Sequence, residues 1–303
     1  MLLILGSINA DLLFKVRRLP RPGETVLCPG YEMAPGGKGS NQAAAAAKAG
    51  AKVGFVGHVG DDAYGPVVRR LLDEAGVDTG QLATSGKPTA IAVIGVDEAG
   101  ENAIIVGSGA NLDTAASQIG DDQLGPGVTV LCQNEVRSEE TWAILRRARA
   151  RGARTMLNLA PAAVPPAEAL AATDVLVVNE IEVGMAADDP GGEPQALARR
   201  LAARHGLTCV VTLGSAGAIA VSPDAAWTAP SLPIRPVDTT GAGDCFTGVL
   251  AAMLDEGMAL PDALRRACLA ASLACLAIGA QSSQPRRADI EARIGEIGPV
   301  RPL

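Results

Sequence analysis

Asp238-Thr239-Thr240-Gly241-Ala242-Gly243-Asp244 leads straight into the apolar run Cys245 to Leu254, and the reading of this stretch decides the rest. Glycines ahead of an apolar run mark a turn that opens a helix. Unpaired backbone N–H groups and the positive end of the helix dipole can hold an anion such as a phosphate there. Asp244 falls in the first helical turn, beside that anion site. A carboxylate so placed can take the proton of a hydroxyl attacking a phosphoryl group, and the dipole favours its charge. Taken alone, GAGD is better read as a tight turn with a favourable N-terminal charge. A second cluster, Gly36-Gly37-Lys38-Gly39-Ser40-Asn41-Gln42, runs into an alanine-rich helix through Ala49 and shifts the reading towards a two-part site.

The chain's 303 residues suffice for one large domain or two, with a substantial core. Hydrophobic residues make up 48% but aromatics only 2%, so the core is expected to be Ala, Val, Leu and Ile. A net charge of -7 leaves no basic excess for general nucleic-acid binding. The cysteines at 28, 132, 209, 245, 268 and 275 form no C-x-x-C pair and have no histidine cluster beside them. They read as buried thiols, neither a zinc site nor a disulfide framework. His58, Asp61 and Asp62 read as a loop, with Asp61 capping a helix from Asp62 to Ala75 that Gly76 stops. Met1 to Leu5 lacks a basic n-region and reads as a core strand. The longest apolar run, Ala267 to Ala280, is too short to cross a bilayer. A soluble cytoplasmic protein that binds neither nucleic acid nor membrane is expected.

Leu2 to Leu5, Lys52 to Val56, Val128 to Cys132, Thr155 to Leu159, Asp174 to Val178 and Thr208 to Leu213 read as strands with helical segments between them. Such alternation predicts an α/β fold with a mostly parallel sheet covered on both faces. Ligands bind at the carboxyl edge of such sheets, where Asn9, Asp11 and Glu135 fall. Asn9 and Asp11 are otherwise ordinary turn formers, and Glu135 a helix-start carboxylate. Leu12 to Tyr31, rich in Pro and Gly, reads as short strands joined by turns. Thr89 to Val96 and Ala103 to Val106 read as a β-hairpin. Asn179 and Glu182 have the spacing of a capping box before a helix. Thr212 to Gly217 reads as a glycine turn ahead of a strand from Ala218 to Val221. Pro261 to Gly279 reads as a helix with Pro261 in its first turn, and the tail after Pro285 as charged surface.

The two glycine clusters, in this order and each opening a helix, resemble the paired signatures of the PfkB carbohydrate kinases. The opening Gly6-Ser7-Ile8-Asn9-Ala10-Asp11 narrows the resemblance to the ribokinase branch, and the likeness extends over nearly the whole chain. It implies a single ribokinase-like three-layer α/β sandwich over residues 1–303, with a small β-sheet lid formed by about 12–35 and 88–107. It implies that Asn9, Asp11, Gly37, Lys38, Asn41 and Glu135 bind a sugar, that Asp244 is the base, and that Gly241, Ala242 and Gly243 form an anion hole. Asn179 and Glu182 would influence phosphate and Mg²⁺ binding, and Thr212, Gly214 and Gly217 would form the nucleotide loop. Asp238, Thr240, Ala274, Ala277, Gly279 and Ser283 would bind a monovalent cation, K⁺ foremost. Cys268 stands where several relatives carry a histidine or asparagine beside the adenine. The implied reaction is ATP-dependent phosphorylation of a pentose hydroxymethyl group, with D-ribose to D-ribose 5-phosphate foremost, by a homodimer joined through the lid. Two alternatives stand beside it: a nucleoside or pseudouridine kinase of the same fold, and a non-catalytic sugar-binding regulator. No Walker A motif or dinucleotide fingerprint is present.

Overall fold

Leu2–Leu5 forms β1, four consecutive buried apolar residues, because both faces of its sheet are covered. Leu2 and Ile4 enter one core while Leu3 and Leu5 enter the other. The computed structural model describes residues 1–303. The chain continues through β2 (Asn9–Lys15), β3 (Glu32–Gly36), α1 (Lys38–Lys48), β4 (Val53–Gly60), α2 (Gly65–Glu74), β5 (Asp78–Ser85), β6 (Ala90–Val96) and β7 (Asn102–Gly107). Next come β8 (Thr129–Cys132), α3 (Ser138–Ala150), β9 (Arg154–Asn158), α4 (Ala167–Ala171), β10 (Val175–Asn179), α5 (Glu180–Ala186), α6 (Pro194–His205) and β11 (Thr208–Thr212). The last elements are β12 (Ala218–Val221), β13 (Ala226–Ala229), α7 (Ala242–Asp255), α8 (Leu260–Ala274), α9 (Arg287–Arg293) and β14 (Arg301–Pro302).

The main sheet has ten strands in the order β14-β13-β12-β11-β10-β9-β8-β1-β4-β5. From β11 to β5 every neighbour is parallel, and β12, β13 and β14 add antiparallel strands at one edge. Helices α1, α2, α7, α8 and α9 bury their apolar faces on one side of it and α3, α4, α5 and α6 on the other, giving three layers. A second sheet, β3-β2-β6-β7, has four strands and stands apart. The register Leu5↔Cys132↔Leu157 aligns the carboxyl ends of β1, β8 and β9, while Asn179↔Thr212 aligns β10 with β11. Residues from distant parts of the chain therefore share one edge.

Four local expectations are corrected. Leu12 to Tyr31 holds one strand only, β2, and runs irregularly from Val16 because Pro20, Pro22, Pro29 and two glycines interrupt any ladder. Asp61 does not cap α2: the helix starts at Gly65 after Tyr64, and it is Asp62, two residues ahead of Tyr64, whose Oδ1 accepts the N–H groups of Tyr64 at 2.9 Å and Gly65 at 3.1 Å. Helix α8 stops at Ala274, short of Gly279, because the Cys275 carbonyl accepts from Val237 and Asp238 and Gly279 takes a φ of 100°. The tail after Pro285 is not all surface, since Ile290 and Ile297 are buried in the core.

Candidate active site

The site begins where β1 ends, because glycines let the two motif segments touch. A side chain on Gly39 would put its Cβ 2.6 Å from the Ser7 nitrogen, and one on Gly6 would come 2.9 Å from the Gly39 Cα. Gly37, at φ 90°, turns the chain into α1. This contact lets Ser7 act as a clasp. Its carbonyl accepts from Ser40 N–H at 2.9 Å, its hydroxyl accepts from Gly39 N–H at 3.2 Å, and that hydroxyl donates to Glu135 Oε2 at 2.6 Å. Lys38 N–H also donates to Glu135 Oε2, at 2.8 Å.

Asp244 lies in the first turn of α7 and is only 8% exposed. Asn41 Nδ2 donates to its Oδ2 at 3.0 Å and Gln42 Nε2 to its Oδ1 at 2.9 Å, so the two glycine motifs meet at this carboxylate. Burial raises its pKa above the ordinary carboxylate value, while the Lys38 ammonium and the two amide donors oppose that rise. The Lys38 ammonium itself makes no ion pair or hydrogen bond within the chain. The turn before α7 has Gly241 at φ 73°. The N–H groups of Gly243 and Asp244 have no partner in the chain, whereas that of Ala242 reaches Thr239 O at 3.2 Å. Of the expected anion-hole positions, Ala242 thus donates within the turn, while Gly243, joined by Asp244, keeps a free donor at a helix N-terminus.

Asn9 and Asp11 sit at the start of β2, in the small sheet, facing the same space. Asn9 is 4% exposed, and its Oδ1 accepts from Asn111 Nδ2 at 2.8 Å. Asn111 is held in turn by Ile8 N–H on its Oδ1 at 3.0 Å. Asn9 thus turns its amide nitrogen outward as a donor, an arrangement the sequence did not reveal because Asn111 lies in an unmarked turn about a hundred residues away. Asp11 Oδ1 is buried without a partner, and Gly36 leaves room for that carboxyl, since a Cβ there would lie 2.0 Å from Oδ2. An unpaired buried carboxylate oxygen is a group that a ligand hydroxyl could satisfy.

Burial first, then Glu135 and Asp244, raises the Asp11 pKa from 3.8 to about 7. Between those values the folded chain keeps a proton that the unfolded chain releases, so this residue's contribution to stability falls as pH rises through that window. Asp11→Asn is therefore expected to be more stable than wild type by roughly 2–4 kcal/mol near pH 8, and level with it near pH 4. Thermal melts at the two pH values check this; equal melting at the higher pH would place the carboxyl in an ordinary environment.

Asn179 and Glu182 form the capping box that opens α5. Asn179 Oδ1 accepts from Ile181 and Glu182 N–H at 2.9 and 2.8 Å, and Glu182 Oε2 accepts from Asn179 N–H at 2.8 Å. Glu182 is buried, which raises its pKa; the N–H of Asn179 and the charge of Lys38 oppose the rise, and the charge of Asp244 adds to it. Thr212 ends β11, Gly214 opens a short turn, and Gly217 at φ 96° packs against the end of β13, where a Cβ would lie 2.1 Å from Ala229 O. Cys268 is 3% exposed, and its Sγ lies 4.0 Å from Ala229 O, the same carbonyl that Gly217 packs against.

Beside the α7 turn, Asp238 accepts from Thr240 N–H and Gly279 N–H at 2.9 Å each. Burial would raise its pKa, but these donors bring it below the ordinary value. Ser283 Oγ donates to Gly279 O at 2.5 Å, which draws Asp238, Gly279 and Ser283 together. Thr240 lies two residues beyond Asp238, and Ala274 and Ala277 lie five and two residues before Gly279 in the chain.

The family model described as pfkB family carbohydrate kinase matches residues 1–287. The ribokinase of Haemophilus influenzae is 33% identical over 292 residues, which cover 94% of this chain and 95% of that protein. The structure of ribokinase from Thermotoga maritima aligns with a TM-score of 0.90 at 30% identity, covering 97% of this chain and 99% of that one. Arabidopsis thaliana ribokinase, solved in complex with ribose and ATP, aligns with a TM-score of 0.87 at 30% identity over 97% and 98% of the two chains. The fold is accordingly the ribokinase-like three-layer sandwich, and the chain belongs to the PfkB family of carbohydrate kinases as a ribokinase-like phosphotransferase acting on a sugar hydroxyl.

Proposed function

We propose that this enzyme transfers the γ-phosphoryl of ATP to the hydroxymethyl group of D-ribose. The observation that carries the reading is that Asp11, Lys38 and Glu135 converge about Asp244, with Asn9 two residues before Asp11 on β2 and the N–H groups of Gly243 and Asp244 free. Asn9 donates and Asp11 and Glu135 accept, which suits the hydroxyls of a pentose. Gly37 brings the backbone close to that sugar, and Asn41 shares it with Asp244. Asp244 removes the proton of the attacking hydroxyl, and the N-terminus of α7, with Gly241, Ala242 and Gly243, stabilises charge on the transferred phosphoryl. Positioning supplies much of the acceleration.

The nucleotide lies along Asn179, Glu182, Thr212, Gly214 and Gly217. No group of three or more His, Cys, Asp or Glu forms a ready metal cage, which suits Mg²⁺ held by the nucleotide's own phosphates, with Glu182 beside them. When bound, the ion supplies charge to the phosphates. Asp238, Thr240, Ala274, Ala277, Gly279 and Ser283 would hold K⁺, ordering the turn that leads into α7. The small sheet acts as a lid that excludes water. It begins at Asn9, three residues ahead of the expected boundary. Ile104, Ile105 and Val106 stand exposed on β7 and support pairing of two subunits through this sheet. No helix is long and apolar enough to cross a membrane, and a cytoplasmic setting suits the use of ATP.

Asn9→Ala and Glu135→Ala are expected to raise the sugar KM by about tenfold or more while leaving the ATP KM within about twofold, because the ligand each would touch is the sugar and their other bonds, to Asn111, Ser7 and Lys38 N–H, lie within the chain. Steady-state kinetics with each substrate varied checks this, and equal changes in both constants would count against the sugar assignment.

A further inference from the structure

Gln42 is wholly buried, and every polar hydrogen and its oxygen are used. Its Nε2 donates to Asp244 Oδ1 at 2.9 Å and to Asn158 Oδ1 at 2.8 Å, and its Oε1 accepts from Gln133 Nε2 at 2.7 Å. Asn158 is itself oriented, because its Nδ2 donates to Val177 O at 3.1 Å. Reversing the Gln42 amide would set its oxygen against two acceptor oxygens and its NH₂ against the NH₂ of Gln133. The orientation is therefore unique. On the other carboxylate oxygen, Asn41 is fixed in the same way, since Gln281 Nε2 donates to Asn41 Oδ1 at 3.0 Å.

We propose that Gln42 is a positioning residue for Asp244, locked by Gln133 and Asn158 so that its amide aligns the carboxylate for proton abstraction. The proposal rests on the reading of Asp244 as the base. The frame is drawn from the ends of β8 and β9 as well as from α1, so it ties the aim of the carboxylate to the main sheet. A buried carboxylate that loses such a donor loses much of what offsets its desolvation. The charged and titratable groups around Asp244 are Lys38 on α1, Glu135 after β8, Asp11 on β2, Glu182 on α5 and the neighbouring Cys245 thiol. All stay in place in the variants below.

The test is the pH profile of kcat for Gln42→Met, which keeps the length of the side chain and removes its hydrogen bonds. The acid limb is expected to move up by about one pH unit, so kcat falls by up to about tenfold on the acid side of the profile and changes little on the alkaline plateau, with both KM values nearly unchanged. In an Asp244→Asn background, Gln42→Met is expected to cost nothing further in kcat. Should Gln42→Met fail to fold, Gln133→Met leaves every group touching Asp244 present and is expected to move the acid limb in the same direction by a smaller amount. A uniform loss across pH, or an additive loss in the Asp244→Asn background, would overturn the proposal. Near wild-type turnover by Asp244→Asn would overturn the base itself. An inactive Asp244→Asn with a wild-type acid limb in Gln42→Met would sink the positioning role alone.

Discussion

Asp244→Asn is expected to lower kcat by roughly 10² to 10⁴, the usual worth of a general base, with sugar and ATP KM within a few-fold of wild type. The substitution keeps the shape of a side chain that is 8% exposed. It removes the lone pair that would accept the hydroxyl proton. It also places an NH₂ against either Asn41 Nδ2 or Gln42 Nε2, both of which donate to the carboxylate in the wild type. That clash of donors costs stability, while loss of a buried charge restores some, so the melting temperature should change little. Single-turnover measurement at saturating substrates isolates the chemical step. Turnover close to wild type would remove Asp244 from the role.

Gly243→Ala is expected to lower kcat/KM for ATP by about 10² to 10³ without loss of stability, the magnitude typical of losing a transition-state donor. Apart from its chain neighbours and the nearby backbone of its own helix, no atom of the chain lies within 4 Å of where its Cβ would stand, and its φ is not positive. The fold therefore does not require glycine at 243, and alanine favours the helix by up to about 1 kcal/mol. If a phosphoryl group rests against this N–H, the new methyl collides with the ligand alone. Gly241→Ala makes the contrast. Gly241 has φ 73°, and a Cβ there would lie 2.9 Å from the Ala280 Cβ, so alanine should cost roughly 1–3 kcal/mol of stability. Calorimetry and ATP kinetics on both variants separate the two roles. A fully active Gly243→Ala would show that the phosphoryl group does not pass this turn.

The parallel layering was legible because Leu2–Leu5 and Val175–Val178 are short, wholly apolar runs, which only a sheet covered on both faces can use. The α1 and α7 motifs were legible because glycine followed by a run of small apolar residues has few other readings. Strand β5 went unread: Asp78–Ser85 is mostly polar and buries only Thr79, Leu82 and Ser85, with no two-residue period, because it pairs only with β4, irregularly, at the edge of the sheet. Strand β14, only two residues long, carries no pattern at all. Within the site, Asp244, Asn9 and Glu135 stood out by their motifs. Asn111, Gln133 and Asn158 did not, because a polar residue at a strand end or in a turn looks alike whether it faces water or a buried amide. Their partners lie about a hundred residues away in sequence, and only the assembled sheet edge brings them together.

The most direct measurement is ADP release by the purified enzyme with Mg-ATP and D-ribose, with and without K⁺, beside deoxyribose, fructose, nucleosides and pseudouridine. Release that depends on the sugar, is fastest with D-ribose and rises with K⁺ is the predicted result. Release supported only by nucleosides would contradict the sugar assignment while keeping the phosphotransfer, and folded, ATP-binding enzyme that turns over none of these acceptors would contradict the account as a whole.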